Sequence, residues 1–456
     1  MAAQVERGHD VAYFFSGRHY PLISGPRLKH WTRAGVQMHE TINGPIVSGL
    51  ELGTRWPDRD VSEPWLEEAF RSVIRSLRSE VVHFQELLCL PSSLIEIAAE
   101  EGAGTVMTLQ DYLPLCSTLR LFDAEGRICE RLAVGEDCAA RNAAAPTSRA
   151  PFVADTLEFE VRRWQRRLPI GNPRFYDRVA GRLCAWGVRQ VAPEPQSPLP
   201  AADTIAAAFQ RRRDINVERL GRVGRLVAQS PRVAEIYRER GVASERMVTL
   251  PFTLAHIEHL RPRSLSSPPR PITFATLGGC ATASKGSMVV LGALRDLRAR
   301  ALEGEFRFRV LGGVDGNIRT ELEGYRGVEL DELYERENLD TILDGVDVGI
   351  IPSIWEEAFG YVGLEMLAKG IPLIANPLGG IVEYAREGET AWLNRSCTGN
   401  GIAELMSKLI AEPELVVDMS RRVRDRRSEL ITPMADHVEA IEAMYREVGS
   451  AARASA

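Results

Sequence analysis

Two carboxylates, Glu357 and Glu365, stand with seven residues between them in the stretch IIPSIWEEAFGYVGLEMLAKGIPLIANPLGG, residues 350–380. The stretch reads as a buried strand ending at Pro352-Ser353, a loop carrying Glu356 and Glu357, and a helix that opens near Gly360 and holds Glu365 among apolar neighbours. The unpaired N–H groups of a helix start suit a phosphate. Gly360 lets the backbone come close, and a carboxylate one or two turns in can accept hydrogen bonds from a ribose or sugar diol. Taken singly, Glu357 reads as a solvated loop acid and Glu365 as a helix-surface acid. Together, flanking a phosphate-ready helix start, they read as a ligand site.

The second chemical feature is the loop TLGGCATASKGS, residues 276–287, between a strand and a helix. Gly278 and Gly279 permit tight backbone approach, and Lys285, just ahead of the helix, can neutralise a diphosphate as a point charge. Lysine is scarce in this chain: only Lys29, Lys285, Lys369 and Lys408 among 56 basic residues. The loop matches neither a Walker loop nor GxGxxG. In an open α/β sheet ligands bind beyond the carboxyl ends of the strands, and both loops leave strands at that edge.

Other candidates read as structural. Cys116, Cys129 and Cys138 lie in one loop region without any CxxC, so buried or idle thiols are expected rather than zinc ligands. His83 sits on a strand and reads as a satisfied core histidine. RRWQRR at 162–167 and the Arg run 211–213 read as solvated faces, and Val438, Ile441, Met444 and Tyr445 form a packing stripe on the terminal helix.

The elements that must position these residues follow from periodicity. The chain has 456 residues with 45% hydrophobic and 26% charged, enough for two or three packed units and incompatible with wholesale disorder. Net charge is −6, which leaves no overall electrostatic footprint for nucleic acid or an anionic membrane, although local Arg runs can still matter. No apolar run reaches the length of a membrane span, and the opening MAAQVERGHDVAYFF lacks a secretory peptide's pattern. Seven dispersed cysteines argue for a reducing compartment, so a soluble, cytoplasmic protein is expected.

Strands and helices alternate, which predicts parallel sheets with right-handed crossovers. In the first half, HDVAYFF, EVVHFQE and GTVMTLQD read as strands, EPWLEEAFRSVIRSL and PSSLIEIAAEEG as helices, and residues 141–200 as an irregular or helical excursion. LRPRSLSSPPRP, residues 260–271, reads as a linker. Beyond it, strands at ITFATLG, FRFRVLGG, VEL, DVGIIPS, IPLIANP and TAWLN alternate with helices, the pattern of a complete doubly wound domain. Two helices, GIAELMSKLIAEP and ADHVEAIEAMYREV, close the chain. The expected organisation is an N-terminal Rossmann-like domain over 1–262, whose first strand and glycine-rich turn read as missing, a C-terminal one over 263–432, and a helix at 433–450 docking on the first.

EAFGYVGLE resembles the E-x7-E signature of retaining glycosyltransferases of family 4. VVHFQELLCLPSSLIEIAAEEGAGTVMTLQDYLPLC is similar to that family's strand-helix-strand ending in a T-L-H-D-Y loop, and IPLIANPLGGIVEYAREGETAWL to its P-V-I-A…GG-I-x-E…G-x-T-G-x-L run. The resemblance implies a GT-B fold, two Rossmann-like doubly wound domains facing across a cleft. It also implies a nucleotide-diphosphate sugar donor, UDP- or GDP-linked, transfer with retention, and no metal or other cofactor.

Carried onto this sequence, Glu357 would contact donor-sugar hydroxyls, the amides of Phe359, Gly360, Tyr361 and Val362 the diphosphate or sugar, and Glu365 the ribose. Lys285 would hold the diphosphate with the Gly278-Gly279 turn. Gln110 takes the place of the family's T-L-H-D histidine, which tilts the reading toward an altered donor sugar. Cys280 or Gly279 stands where the family often has Arg, so Lys285 must carry more of the phosphate charge, or an Arg must arrive from elsewhere. The implied partners are the donor and a small soluble acceptor in natural-product biosynthesis, with S-transfer of the lincosamide type as one chemistry. A cell-surface polysaccharide or glycolipid transferase and a non-catalytic nucleotide-sugar-binding subunit are the alternatives.

Overall fold

A computed structural model describes the chain except residues 48–52, 123–126, 168–172, 192–201, 244, 332–333, 335 and 456. The chain divides into two compact units, one of Met1–Val227, Tyr237–Met247 and Ile441–Ala456, the other of Ala228–Ile236 and Val248–Ala440.

The first unit opens with α1 (Ala2–Glu6), β1 (Ala12–Ser16), β2 (Arg27–Arg33) and β3 (Val36–Ile42). These strands form a sheet of their own in the order β1-β3-β2, with β1 parallel to β3 and β2 antiparallel to it. HDVAYFF is thus a strand as expected, but its partner is a hairpin strand that the periodicity did not reveal. The hairpin turns at Ala34 and Gly35, with φ of 49° and 78°, the doubly left-handed geometry that matches the twist of paired strands.

Next come α2 (Pro57–Val61), α3 (Pro64–Leu77), β4 (Val81–Phe84), α4 (Leu94–Glu100) and β5 (Gly104–Leu109). Helix α3 starts where a start signal stands: Pro64 occupies its first turn, and the Glu63 side chain accepts a hydrogen bond from the Leu66 amide. It buries Leu66, Phe70, Val73 and Ile74, each worth about 1.5–3 kcal/mol out of water. After α5 (Gly135–Arg141), the described part of the excursion is largely helical, with α6 (Ala150–Arg167) and α7 (Pro173–Gln190); α8 (Ala202–Arg222) then precedes β6 (Arg225–Ala228), α9 (Pro231–Glu239), most of which belongs to the second unit, and β7 (Met247–Thr249). Strands β4, β5, β6 and β7 form one sheet in that order.

The Arg run 211–213 departs from expectation. Arg212 and Arg213 are buried: Arg212 pairs with Asp60 at 2.6 Å and donates to the Leu113 carbonyl, and Arg213 donates to the Arg131 carbonyl. They are interior struts rather than a solvated face, because planar donor forks can satisfy several acceptors at once. His83 is a satisfied histidine, its ring nitrogens 2.7 Å from the Tyr445 and Thr108 hydroxyls.

In the second unit, β8 (Ile272–Leu277), α10 (Ser287–Ala299), β9 (Phe306–Leu311), α11 (Gly316–Glu323), β10 (Val328–Asp331), α12 (Leu339–Asp344), β11 (Val348–Ile351), α13 (Tyr361–Ala368), β12 (Leu373–Ala375) and β13 (Ala391–Leu393) alternate as expected. The helices α14 (Gly399–Ala411), α15 (Glu414–Asp425), α16 (Arg427–Leu430) and α17 (Met434–Ser455) end the chain, so two helices separate the pair expected there. The sheet is six-stranded, β10-β9-β8-β11-β12-β13, with every neighbouring pair parallel. In chain order that is 3-2-1-4-5-6, the doubly wound arrangement. Its inner strands β8 and β11 are buried at every residue, as a sheet covered on both faces requires.

Candidate functional site

The strand order reverses between β8 and β11, which pair at Val348–Phe274 and Gly349–Ala275. At such a reversal the loops leave in opposite directions and open a crevice at the carboxyl ends. The loops leaving these two strands are 278–286 and 352–360, the two that the sequence singled out.

They meet through a charge pair. Lys285 Nζ lies 2.7 Å from Glu357 Oε1, and the Ser353 hydroxyl donates to the same oxygen at 2.7 Å. The ammonium also stands 5.1 Å from the Trp355 ring centre. The Lys285 side chain is 36% exposed and that of Glu357 only 8%, so the carboxylate is fixed in the protein while the cation faces outward.

The loop carrying Glu357 is held from below. The Asn376 side-chain amide donates to the carbonyls of Pro352 and Ser353, and the Asn394 amide donates to the Asn376 oxygen. Gly379 lies at φ +60°, and a Cβ there would stand 2.2 Å from the Glu357 carbonyl oxygen. The next amide, Gly380, donates to that carbonyl at 2.7 Å. The Gly379-Gly380 pair therefore lets one backbone press on another and sets where Glu357 points.

Gly360 caps α13 in the left-handed region at φ +74°, and the Tyr384 hydroxyl donates to its carbonyl at 2.7 Å. The first-turn amides of Tyr361 and Val362 have no acceptor within the helix and are directed past its start. In the facing loop the Gly278 amide donates to the Leu311 carbonyl at 2.7 Å, while the space where its Cβ would stand is open. Cys280 is fully buried, and burial pushes its thiol up to about 12, which makes it a packing residue and no nucleophile.

Glu365 is buried, and its Oε1 lies 2.6 Å from His256 Nε2. Two phenols share the neighbourhood: burial first, and then the charge of Glu365, raise Tyr334 and Tyr361 above the ordinary tyrosine range. Arg232 reaches Glu356, its Nη2 standing 3.1 Å from Oε1. His256 and Arg232 were absent from the sequence reading. Neither lies in a motif, and each is joined to its acid across more than a hundred residues, which no local pattern signals.

Of the expected residues, Gly278, Gly279, Lys285, Glu357, Phe359, Gly360, Tyr361, Val362 and Glu365 all belong to the second unit, on or beside these two loops. Gln110 belongs to the first unit, at the end of β5, where its amide donates to the Gln85 side chain at 2.8 Å. Among the described residues no group of three His, Cys, Asp or Glu is arranged to hold a metal ion, and no helix is long and apolar enough to cross a membrane.

Residues 271–412 match the family model of glycosyl transferases group 1. An alpha-D-kanosaminyltransferase of Streptomyces kanamyceticus is 23% identical over 60% of this chain and 66% of its own. A putative colanic acid biosynthesis glycosyltransferase of Salmonella typhimurium is 27% identical over 29% of this chain and 34% of its own. A D-inositol 3-phosphate glycosyltransferase of Corynebacterium aurimucosum is 25% identical over 32% of this chain and 36% of its own. The chain therefore spans between about a third and just under two thirds of these relatives.

Among solved structures, sucrose-phosphate synthase from Thermosynechococcus elongatus superposes with a TM-score of 0.57 at 14% identity, covering 99% of this chain and 92% of that one. Anabaena HepE, solved with UDP and glucose, gives 0.52 at 13% identity over 90% and 86%. The fold is of the GT-B type, and residues 271–412 are a glycosyl transferases group 1 domain within it.

Proposed function

We propose that the chain is a retaining glycosyltransferase of the family 4 type, which moves a sugar from a UDP- or GDP-linked donor to a small soluble acceptor. One observation carries the reading: the Lys285–Glu357 pair at the switch point of the second unit's sheet, at the head of a helix with open first-turn amides. In the proposed complex Glu357 accepts from donor-sugar hydroxyls and Lys285 turns to the diphosphate. The bond from the anomeric carbon to the phosphate oxygen breaks, and the bond to the acceptor forms on the same face. The leaving diphosphate takes up the acceptor's proton, and its charge is met by Lys285 and the Tyr361 and Val362 amides, so no metal is required. Glu365 accepts from the ribose diol.

A polysaccharide or glycolipid acceptor is the second reading, favoured by the colanic acid relative. The small acceptor is kept first because the colanic acid match covers only 29% of the chain.

The test is turnover with a panel of UDP- and GDP-sugars, read as released nucleoside diphosphate, with the anomer of the product assigned by NMR. Release above background that is lost in Glu357→Gln supports the proposal. Tight donor binding without turnover would instead make the chain a nucleotide-sugar-binding subunit, and an inverted anomer would remove the retaining mechanism.

A further inference from the structure

Helix α7 of the first unit packs one side against α6 and leaves the other in water. Tyr176, Ala180 and Gly187 are on the packed side: the first two join Val161 in a small core, and a Cβ at Gly187 would stand 2.3 Å from Leu157. On the opposite side Phe175, Arg178, Arg182, Trp186 and Arg189 recur at steps of three, four, four and three. At about 100° per residue that places them within roughly 40° of one line along the helix. All five are exposed, Phe175 at 48% and Trp186 at 38%.

The apolar end of this stripe continues onto α6. Phe175 lies 5.5 Å from the Tyr176 ring, which lies 5.7 Å from that of Trp164, itself 44% exposed and followed by the exposed Arg166 and Arg167. Residues 150–190 carry eight Arg against four Asp and Glu in a chain whose net charge is −6. Large aromatics left in water among arginines require a partner that is both apolar and anionic.

A second copy of the chain would set arginine against arginine. A polyanion without an apolar layer would leave Phe175 and Trp186 wet. A bilayer interface satisfies both at once, because headgroup phosphates accept from the guanidinium groups while the rings sink toward the acyl boundary. We propose that the exposed face of α7, with the adjoining end of α6, docks this chain in the plane of an anionic lipid surface. The surface lies outside the transferase site, and the inference stands independently of the donor and acceptor.

The test is co-sedimentation of the full chain with vesicles of phosphatidylcholine alone and of phosphatidylcholine with 30 mol% phosphatidylglycerol. Binding is expected with the anionic vesicles and not with the neutral ones, weakening in high salt. Arg182→Glu with Arg189→Glu should lower partitioning at least about tenfold, and Phe175→Ser with Trp186→Ser should lower it independently. Both variants should keep the wild-type melting temperature and donor turnover, since the four side chains are exposed and lie outside the site. Equal binding to both vesicle types, or charge reversal without effect, would overturn the proposal. So would a concentration-dependent dimer that the aromatic variant dissolves, which would assign the face to a second copy, or retention of single-stranded oligonucleotide without vesicle binding.

Discussion

Two ion pairs of nearly equal length behave as opposites. In the first unit Arg212 and Asp60 meet at 2.6 Å with each side chain only 3% exposed. In the second Lys285 and Glu357 meet at 2.7 Å, but the cation is 36% exposed. Arg212 is fastened a second time, by the Leu113 carbonyl, so its fork is held in fixed positions and has nowhere to move. Lys285 is a point charge on a flexible stem, held by one carboxylate and a ring face, and can exchange that partner for a phosphate. Distance alone does not separate a strut from a ligand-binding pair. Exposure of one partner and the number of its fixed acceptors do.

The largest effect should come from breaking the strut. Asp60→Ala leaves a buried guanidinium without its acid and should cost about 3–5 kcal/mol of stability. Denaturant titration measures it, and nucleotide affinity at a temperature where the variant is folded should be unchanged. A variant as stable as wild type would erase the contrast between the two pairs.

The first unit's dry interior also predicts a pH response. Burial, and then the charge of Arg149, hold His19 down to about 4. The unfolded chain takes up this proton near the ordinary value, so between about pH 6.5 and 4 it binds more protons than the folded chain, and stability falls as pH falls through that window. The contribution of one such group reaches about 3 kcal/mol at full displacement. Urea midpoints at pH 7, 5.5 and 4 should show a shallower fall in His19→Asn than in wild type. Parallel lines would mean that His19 titrates normally.

Removing the exposed cation should act on ligand more than on fold. Lys285→Ala is expected to weaken nucleoside diphosphate binding by about 1.5–3 kcal/mol, the worth of a hydrogen bond to a charged group, with a stability loss smaller than that of Asp60→Ala, because Ser353 still donates to the Glu357 carboxylate. Calorimetry should find a smaller loss for the monophosphate. Equal losses for both nucleotides would place Lys285 away from the distal phosphate.

The smallest effects belong to the ribose end. Glu365→Gln keeps an acceptor but loses the charge and should cost about 1 kcal/mol of nucleotide affinity, with His256→Ala costing no more, since its proposed role is to orient that carboxylate. A His256 variant weaker than the Glu365 variant would reverse their roles and make the imidazole the direct contact.

Much of the second unit was legible because its signals are local. Buried parallel strands read as short apolar runs, such as VGII of β11, and the helix start after Gly360 depends on backbone freedom at one position. The seven-residue spacing of Glu357 and Glu365 was likewise visible without any fold. The β2–β3 hairpin was not legible, because its turn uses Ala34 where Asn or Asp would have marked a left-handed residue. Nor was the burial of Arg212 and Arg213, since an Arg run looks the same whether water or backbone carbonyls receive it.

The amino-acid sequence by itself determined where strands and helices alternate, which loops carry acid, lysine and glycine, and that Glu365 follows a helix start. These depend on contacts within a few residues, where periodicity and turn geometry act. Tertiary structure alone decided that β8 lies beside β11, which turns two loops about seventy residues apart into one site with Lys285 on Glu357. It also decided that His256 reaches Glu365 across 109 positions. Strand order is set by how the whole apolar surface of a sheet is covered, a sum over the unit that no local window contains.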